Sequence, residues 1–373
     1  MGNVNRNLKL GNRERMIRAC LNQDIDRQPF WFMFGPWGET MERWRGEGFV
    51  GDDWRAAFGF DAGFMMLPVN LGFCPRFERI VLAEDDETRT VRDALGITFV
   101  EKKGHATIPR FLDNPIKTRG DWETIKRERL NPHAPERFPA NWNQAIRAMK
   151  ERDAAVQIGG YPFGLFGTLR DFMGVERLLL AFYDEPELIH EMMDFLTDFW
   201  LAIYERALKD IQIDHIHIWE DMSGKQGPLI SPAMFRQFMT PNYERIVAFA
   251  KRHGISVVSV DTDGNVDILM PLFQECGMNL VLPFEVQAGC DVVALREQYP
   301  GICLHGGIDK RALALGFGEI DGELDRIGGM FGISGYIAAP DHLIHPEVSL
   351  ENFQYFIERL KERIGIADDE HRS

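Results

Sequence analysis

Eight short apolar runs, most of them followed by a stretch with helical spacing, set the strongest limit on what this chain can fold into. They read "PFWFMFG" from Pro29, "DAGFMML" from Asp61, "AAVQIGG" from Ala154, "HIHIWED" from His215, "ISVVSVDTDG" from Ile255, "NLVLPFEV" from Asn279, "ICLHGGID" from Ile302 and "GYIAAPDHLI" from Gly335. Runs this short, rich in β-branched and aromatic residues, match buried strands. The segments between the later ones carry helix punctuation. Ser231 stands before Pro232 at the head of "PAMFRQFMTPNYERIVAFAKRHG", and "VDILMPLFQECG" and "DVVALREQYPG" end at glycine,. Strands alternating with helices imply a parallel sheet, and eight of them a closed (β/α)8 TIM barrel; an open doubly wound sheet is the rival.

One interval breaks the alternation. Residues 77–114 alternate apolar and polar as a β-hairpin or meander does,. This is read as a β-rich excursion after the second strand, beside the mouth of a barrel that spans residues 12–366. Residues 1–11 and 367–373 are polar and read as flexible tails,.

Composition narrows the function classes. A net charge of −15 without a basic stripe excludes a phosphate-tracking surface, so nucleic acid is not an expected partner,. The five cysteines form no CxxC pair, which suits a reducing compartment,. No run approaches the roughly 18 apolar residues of a membrane span, and no signal core opens the chain. A cytoplasmic protein without a membrane partner is expected. The GxSxG, HExxH and Walker A motifs are absent from the sequence,.

A barrel gathers its chemistry at the C-terminal ends of its strands, and side chains there alternate faces. In "ISVVSVDTD" the apolar Val258 and Val260 belong against the helices, which turns Ser259, Asp261 and Asp263 inward. The same parity sends His215, His217, Trp219 and Asp221 inward, and Glu220 outward unless the strand has already turned. "ICLHGGID" groups Cys303, His305, Gly307 and Asp309, and "GYIAAPDHLI" aligns Tyr336, Ala338, Pro340 and His342. The inferred mouth thus holds Asp221, Asp261, Asp263, Asp309 and His342, with Glu220 and Glu285 as further candidates. Crowded carboxylates raise one another's pKa unless a cation or proton is shared. The cluster therefore binds a metal, holds a proton, or pairs with Lys225, Lys310 and Arg311. It is not a calcium loop, because the positions needing Gly and Glu hold Val266 and Leu272,. Plainer readings stand beside these: Asp263 as a helix cap, and His215 and His217 as hydrogen-bonded core histidines. "GGIDK" is either a close backbone approach to a ligand or a plain turn. "WGETMERWRGEG" is either a lid or an amphipathic helix.

Five segments, in order, resemble the uroporphyrinogen decarboxylase superfamily: "NRERMIRACLNQDIDRQPFWF", "GFDAGF", "GNV…LFQECG", "GGIDKRAL" and "PDHLIHPEVSLENFQYF". The resemblance runs from about Asn12 to Ile364. It implies a (β/α)8 barrel and one of two chemistries: decarboxylation of uroporphyrinogen, or methyl transfer between a corrinoid protein and an acceptor such as coenzyme M. The decarboxylases' arginine-bearing "RQAGR" arm is replaced here by "FMFGPWGET", and their substrate-holding aspartate by Pro68 and Val69, while a late histidine is kept at His342. Similarity to the corrinoid methyltransferases places Asp261, Asp263 and His342 where those enzymes hold zinc with one histidine and two cysteines. The exchange of soft for hard ligands still suits Zn²⁺ or another divalent metal.

The resemblance implies a methyltransferase acting on a small methoxylated or methylated substrate, with a corrinoid carried by a partner protein. Asp261, Asp263 and His342 are its expected metal ligands. Glu220, Asp221 or Glu285 is expected to manage the proton, and Asp309 with Lys310 to position substrate. A metal-free decarboxylase or lyase of a small carboxylic acid, and a non-catalytic ligand-binding barrel, are the alternatives. A homodimer follows from family habit.

Overall fold

The computed structural model describes residues 2–103 and 109–366. Its strands are β1 (Phe64–Met66), β2 (Ile80–Glu84), β3 (Thr88–Arg92), β4 (Thr98–Lys102), β5 (Arg110–Asp113), β6 (Ala155–Gly159), β7 (His215–Trp219), β8 (Ser223–Gly224), β9 (Gly227–Pro228), β10 (Val257–Asp261), β11 (Leu280–Leu282), β12 (Cys303–Ile308) and β13 (Tyr336–Pro340). Seven of them form one curled parallel sheet in the order β1-β6-β7-β10-β11-β12-β13, a half-barrel with helices in the crossovers.

The first expected strand, "PFWFMFG", is not part of that sheet, so the closed eight-stranded ladder is corrected to seven strands. The physical reason lies in its backbone groups. Pro29 has no N–H to give, and the Phe32 and Met33 carbonyls accept from Arg55 instead of from a neighbouring strand. The segment nevertheless lies between the sheet's two edges. The Phe30 carbonyl accepts from Asp61 N–H beside β1, and the Gly35 carbonyl from Ile344 N–H beyond β13. Trp31 fills the interior, edge-on to Phe64 at 5.3 Å and clustered with Val257, Leu280, Cys303 and Ile337.

Period-two reading of the central strands holds. Val258 and Val260 join the large cluster formed with the helices, whereas Val257 joins the interior one. It fails at β13, where Tyr336 and Ala338 face the helices and Ile337 faces inward. His342 reaches the mouth because the chain turns after Pro340.

The described part of residues 77–114 is the meander of the two expected forms: β2 to β5 make a four-stranded antiparallel sheet, separate from the parallel one. The expected N-terminal tail is docked where it is described. Gly2 N–H donates to the Asn22 carbonyl, and Asn3 and Val4 bridge to Ile333 and Ile25. The expected tail at 367–373 lies outside the described residues. Among the described residues no helix is long and apolar enough to cross a membrane.

Helix punctuation also held. Ser231 Oγ accepts from Met234 N–H at 3.2 Å,. The helix it opens is broken by a π-turn at Phe235–Met239 before Thr240–Arg252, where Pro241 withholds a donor,. "WGETMERWRGEG" is an amphipathic helix, Gly38–Gly46, pinned by Trp44 Nε1–H to the Val348 carbonyl at 2.9 Å.

Candidate functional site

β7 and β10 lie side by side with Ser259 opposite His217 and Asp261 opposite Trp219. This register brings the acids of two strand ends together. Glu220 and Asp221 N–H both donate to the Asp261 carbonyl, at 2.8 and 3.3 Å. Asp221 sits at φ +42, a left-handed conformation that aspartate tolerates better than most side chains,. Burial lifts the Asp261 carboxyl well above the usual range, and repulsion from Asp263 and then Asp221 adds to it. Burial raises Asp221 too, partly offset by the Arg170 guanidinium that grips it. Asp263 Oδ2 lies 3.4 Å from His342 Nε2, and the Phe34 ring stacks on that imidazole at 4.9 Å.

Below the acids the barrel interior is imidazole-rich. Ser259 Oγ touches His215 Nε2 at 2.6 Å and His217 Nδ1 at 2.7 Å, so its single proton serves one ring while the other ring donates back,. His217 Nε2 faces Asp261 Oδ2 at 3.8 Å. Burial depresses His217 to about 4 and His305 to about 3, which keeps both neutral near pH 7. The core-histidine reading is met by the Ser259 bonds, with His215 Nδ1 and His305 Nδ1 left unpartnered.

The three expected metal ligands do not form one donor set. Asp263 and His342 approach each other, Asp261 faces His217, and among the described residues no three His, Cys, Asp or Glu side chains are arranged to hold a metal ion.

Most of the other expected site residues are committed to structure. Glu220 keeps the outward parity and is fully buried. Its oxygens accept from Leu165, Phe166 and Gly167 N–H at the head of the helix Leu165–Met173, and from Tyr243 Oη at 2.6 Å. Gly164 permits that approach, since a Cβ there would stand 1.7 Å from the Trp219 carbonyl. Lys310 is buried between Glu285, at 3.1 Å, and Asp341, at 3.8 Å. Glu285 also accepts from Gly264 N–H at 3.0 Å. Asp309 turns away from Lys310 to a bidentate pair with Arg311, whose Nε–H donates to Oδ1 and whose Nη2 donates to Oδ2. The glycines of "GGIDK" press on protein, not on open space: a Cβ on Gly306 would lie 2.0 Å from the Pro283 carbonyl.

Four residues at the mouth escaped the sequence reading. Arg170 bonds Asp221 and lies over the Trp219 ring at 5.1 Å. Asp171, pushed up to about 6 by burial, accepts from Tyr161 Oη at 2.9 Å. Phe34 is the fourth. The Arg170-Asp171 pair did leave a signal, being the only charges in the apolar stretch "YPFGLFGTLRDFMG".

Glu220 also predicts a pH effect on stability. Burial holds its carboxyl at about 7, against the pull of its four donors. A raised folded pKa means stability that is complete below the unfolded value and lost as pH rises through about 7,. The wild type should lose about 3 kcal/mol of unfolding free energy between pH 4.5 and 8 from this group. Glu220→Gln presents an amide N–H₂ to backbone donors; it should cost about 1–3 kcal/mol at pH 5 and flatten the slope. Urea unfolding of both proteins across that range decides it, and an unchanged slope contradicts the assignment.

A family model described as uroporphyrinogen decarboxylase matches residues 87–363. The chain is 26% identical to the uroporphyrinogen decarboxylase of Thermus thermophilus, over 93% of this chain and 97% of that one. It is 25% identical to that of Cellvibrio japonicus, over 93% and 95%. Among solved structures, a methyltransferase from Methanosarcina mazei superposes with a TM-score of 0.61 at 17% identity, covering 95% of this chain and 99% of that one, a likeness of fold.

Proposed function

We infer the function from one premise: the chain belongs to the uroporphyrinogen decarboxylase family. Within that family we propose a methyltransferase, which takes a methyl group from a small methoxylated or N-methylated compound and passes it to a corrinoid held by a partner protein.

One observation carries the reading: the mouth is acidic, and three of its cations, Arg170, Lys310 and Arg311, are paired with acids of this chain. Asp221, Asp261 and Asp263 face one another electrostatically. Arg170 is held by Asp221, Lys310 by Glu285, and Arg311 by Asp309. A polycarboxylate such as uroporphyrinogen would meet repulsion here. A neutral ether or a methylated amine would not, and an ammonium would be attracted.

The corrinoid would supply a nucleophile that accepts the methyl group. This chain's part is the proton. Asp261, buried and held toward its protonated form, is positioned to donate to the heteroatom as its bond to the methyl carbon breaks. The electron pair of that bond stays on the heteroatom, which leaves as an alcohol or amine, and Asp261 is left as a carboxylate. Asp263 and Asp221 keep Asp261 protonated until then, and stabilise positive charge gathering on the methylated atom.

The test uses reduced cobalamin, with and without a corrinoid protein, and a panel of methoxylated and N-methylated compounds. Donor-dependent loss of the reduced-cobalamin spectrum is the expected result. A panel with no active member overturns the reading. A carboxy-lyase is the second reading, favoured by the relatives at 26% identity; there Asp261 protonates the carbanion left by departing CO₂. Release of CO₂ from a small carboxylic acid without cobalamin would select it.

A further inference from the structure

An open cleft of about 890 Å³ runs outward from Asp221 and Arg170, between the antiparallel sheet and the helices that follow β6. We propose that this cleft seats the apolar, aromatic body of the substrate, an aryl methyl ether, with its methylated end at the acids. The assignment of the reacting end rests on the methyltransferase reading; the assignment of the apolar body rests on the cleft alone.

The walls argue for an apolar occupant. Phe111 and Leu112 of β5 are 59% and 48% exposed, and across the cleft Val175 and Leu229 are 39% and 40% exposed. Large apolar side chains wetted together on two facing walls mark a binding surface, and covering them is favourable by about 25 cal/mol per Å². The volume falls within the ~300–1,000 Å³ of small-molecule pockets, well above what a methanol-sized donor fills.

The charges argue against an anionic one. Lys117 is paired with Asp113 at 2.7 Å, Arg177 with Glu185 at 2.9 Å, and Arg170 with Asp221. No cation named in that lining is left to hold a carboxylate or phosphate.

The cleft is also built, not incidental. Asn114, directly after β5, donates through Nδ2 to the Asp171 carbonyl at 2.9 Å, and Ile116 N–H donates to the Phe172 carbonyl at 2.9 Å. The apolar wall is thereby held in register with the helix that carries Arg170 and Asp171. Because Asp221 both lines the cleft and repels Asp263, a rigid aryl group lying on Phe111 and Leu112 directs a ring substituent at the acid cluster. The excursion would then select substrates by the size of their apolar body.

The probe is 2-methoxynaphthalene, followed by its own fluorescence, with no corrinoid present. Saturable binding to the wild type is expected. Phe111→Ala combined with Leu112→Ala should weaken it at least about tenfold, or 1.4 kcal/mol, with an unchanged thermal midpoint, since both side chains are exposed. Val175→Asp, on the opposite wall, should weaken it comparably and guards against a local collapse of β5. Equal binding by wild type and both variants overturns the proposal, as does the lack of saturable wild-type binding up to the solubility limit. The two readings fail separately. Naphthyl ether binding in a protein that transfers no methyl group removes the methyltransferase reading and leaves the subsite. Methyl transfer from methanol-sized donors, with naphthyl ether binding unaffected in the variants, does the reverse.

Discussion

Asp261→Asn should lower methyl transfer by about 10²–10⁴-fold, the usual contribution of a positioned general acid. Asparagine keeps the size of the side chain, and the backbone bonds from Glu220 and Asp221 reach the main-chain carbonyl, so the fold should persist. The pH profile gives the stronger test. If Asp261 is the acid proposed above, activity requires its protonated form and should fall as pH rises through a pKa displaced upward by burial, by Asp263 and by Asp221. Asp263→Asn removes one repelling charge and should move that alkaline limb to lower pH. An Asp261→Asn enzyme with wild-type rate, or an alkaline limb that ignores residue 263, would rule out the proton role.

Lys310→Met should destabilise the protein by about 3–5 kcal/mol, as removal of one partner from a buried ion cluster does. The ammonium is 4% exposed, between Glu285 at 15% and Asp341 at 1%. Without it two largely buried carboxylates face each other with only backbone donors: Gly264 N–H for Glu285, and Val286 and Lys310 N–H for Asp341. Burial lifts the Asp341 carboxyl and Lys310 draws it back. In the variant only the Val286 and residue-310 backbone donors still oppose the lift, and a raised carboxylate pKa costs stability as pH rises. The loss should therefore be larger at pH 8 than at pH 5, and Lys310→Met with Asp341→Asn should recover part of it. Denaturant midpoints at the two pH values measure this, and a loss below about 1 kcal/mol would mean the cluster is solvated.

How legible was this in the sequence? Where one face of a strand is apolar, the two-residue period speaks plainly, and Asp261 was placed inward from Val258 and Val260 alone. The seventh and eighth strands of the expected barrel show the limit. Neighbours Asp309 and Lys310 were assigned one task, yet one meets Arg311 and the other Glu285 and Asp341, because parity separates adjacent residues and long-range partners choose for each. Parity alone turns Glu220 outward; its partners, a helix N-terminus 53–55 residues away and Tyr243, are fixed by packing that no local pattern encodes. Phe34 was hidden because its segment looked like an ordinary strand, while its backbone is held by Arg55 and Ile344. The family resemblance supplied the fold and the mouth; Asp261, Asp263 and His342 are matching positions on the chain whose side chains do not form one donor set in this structure.

The bonds around Lys310 divide the mouth into two kinds of ground. One side chain and its two acids lace together the segments that follow β10, β11, β12 and β13. Altering any of them disturbs all, so that half is frozen against change. In the opposite half, walled by β5 and the helices after β6, Phe111, Leu112, Val175 and Leu229 stand exposed, outside the polar ties that hold its backbone. Descendants of this chain seeking new substrates, in nature or in the laboratory, should find their useful mutations on that side.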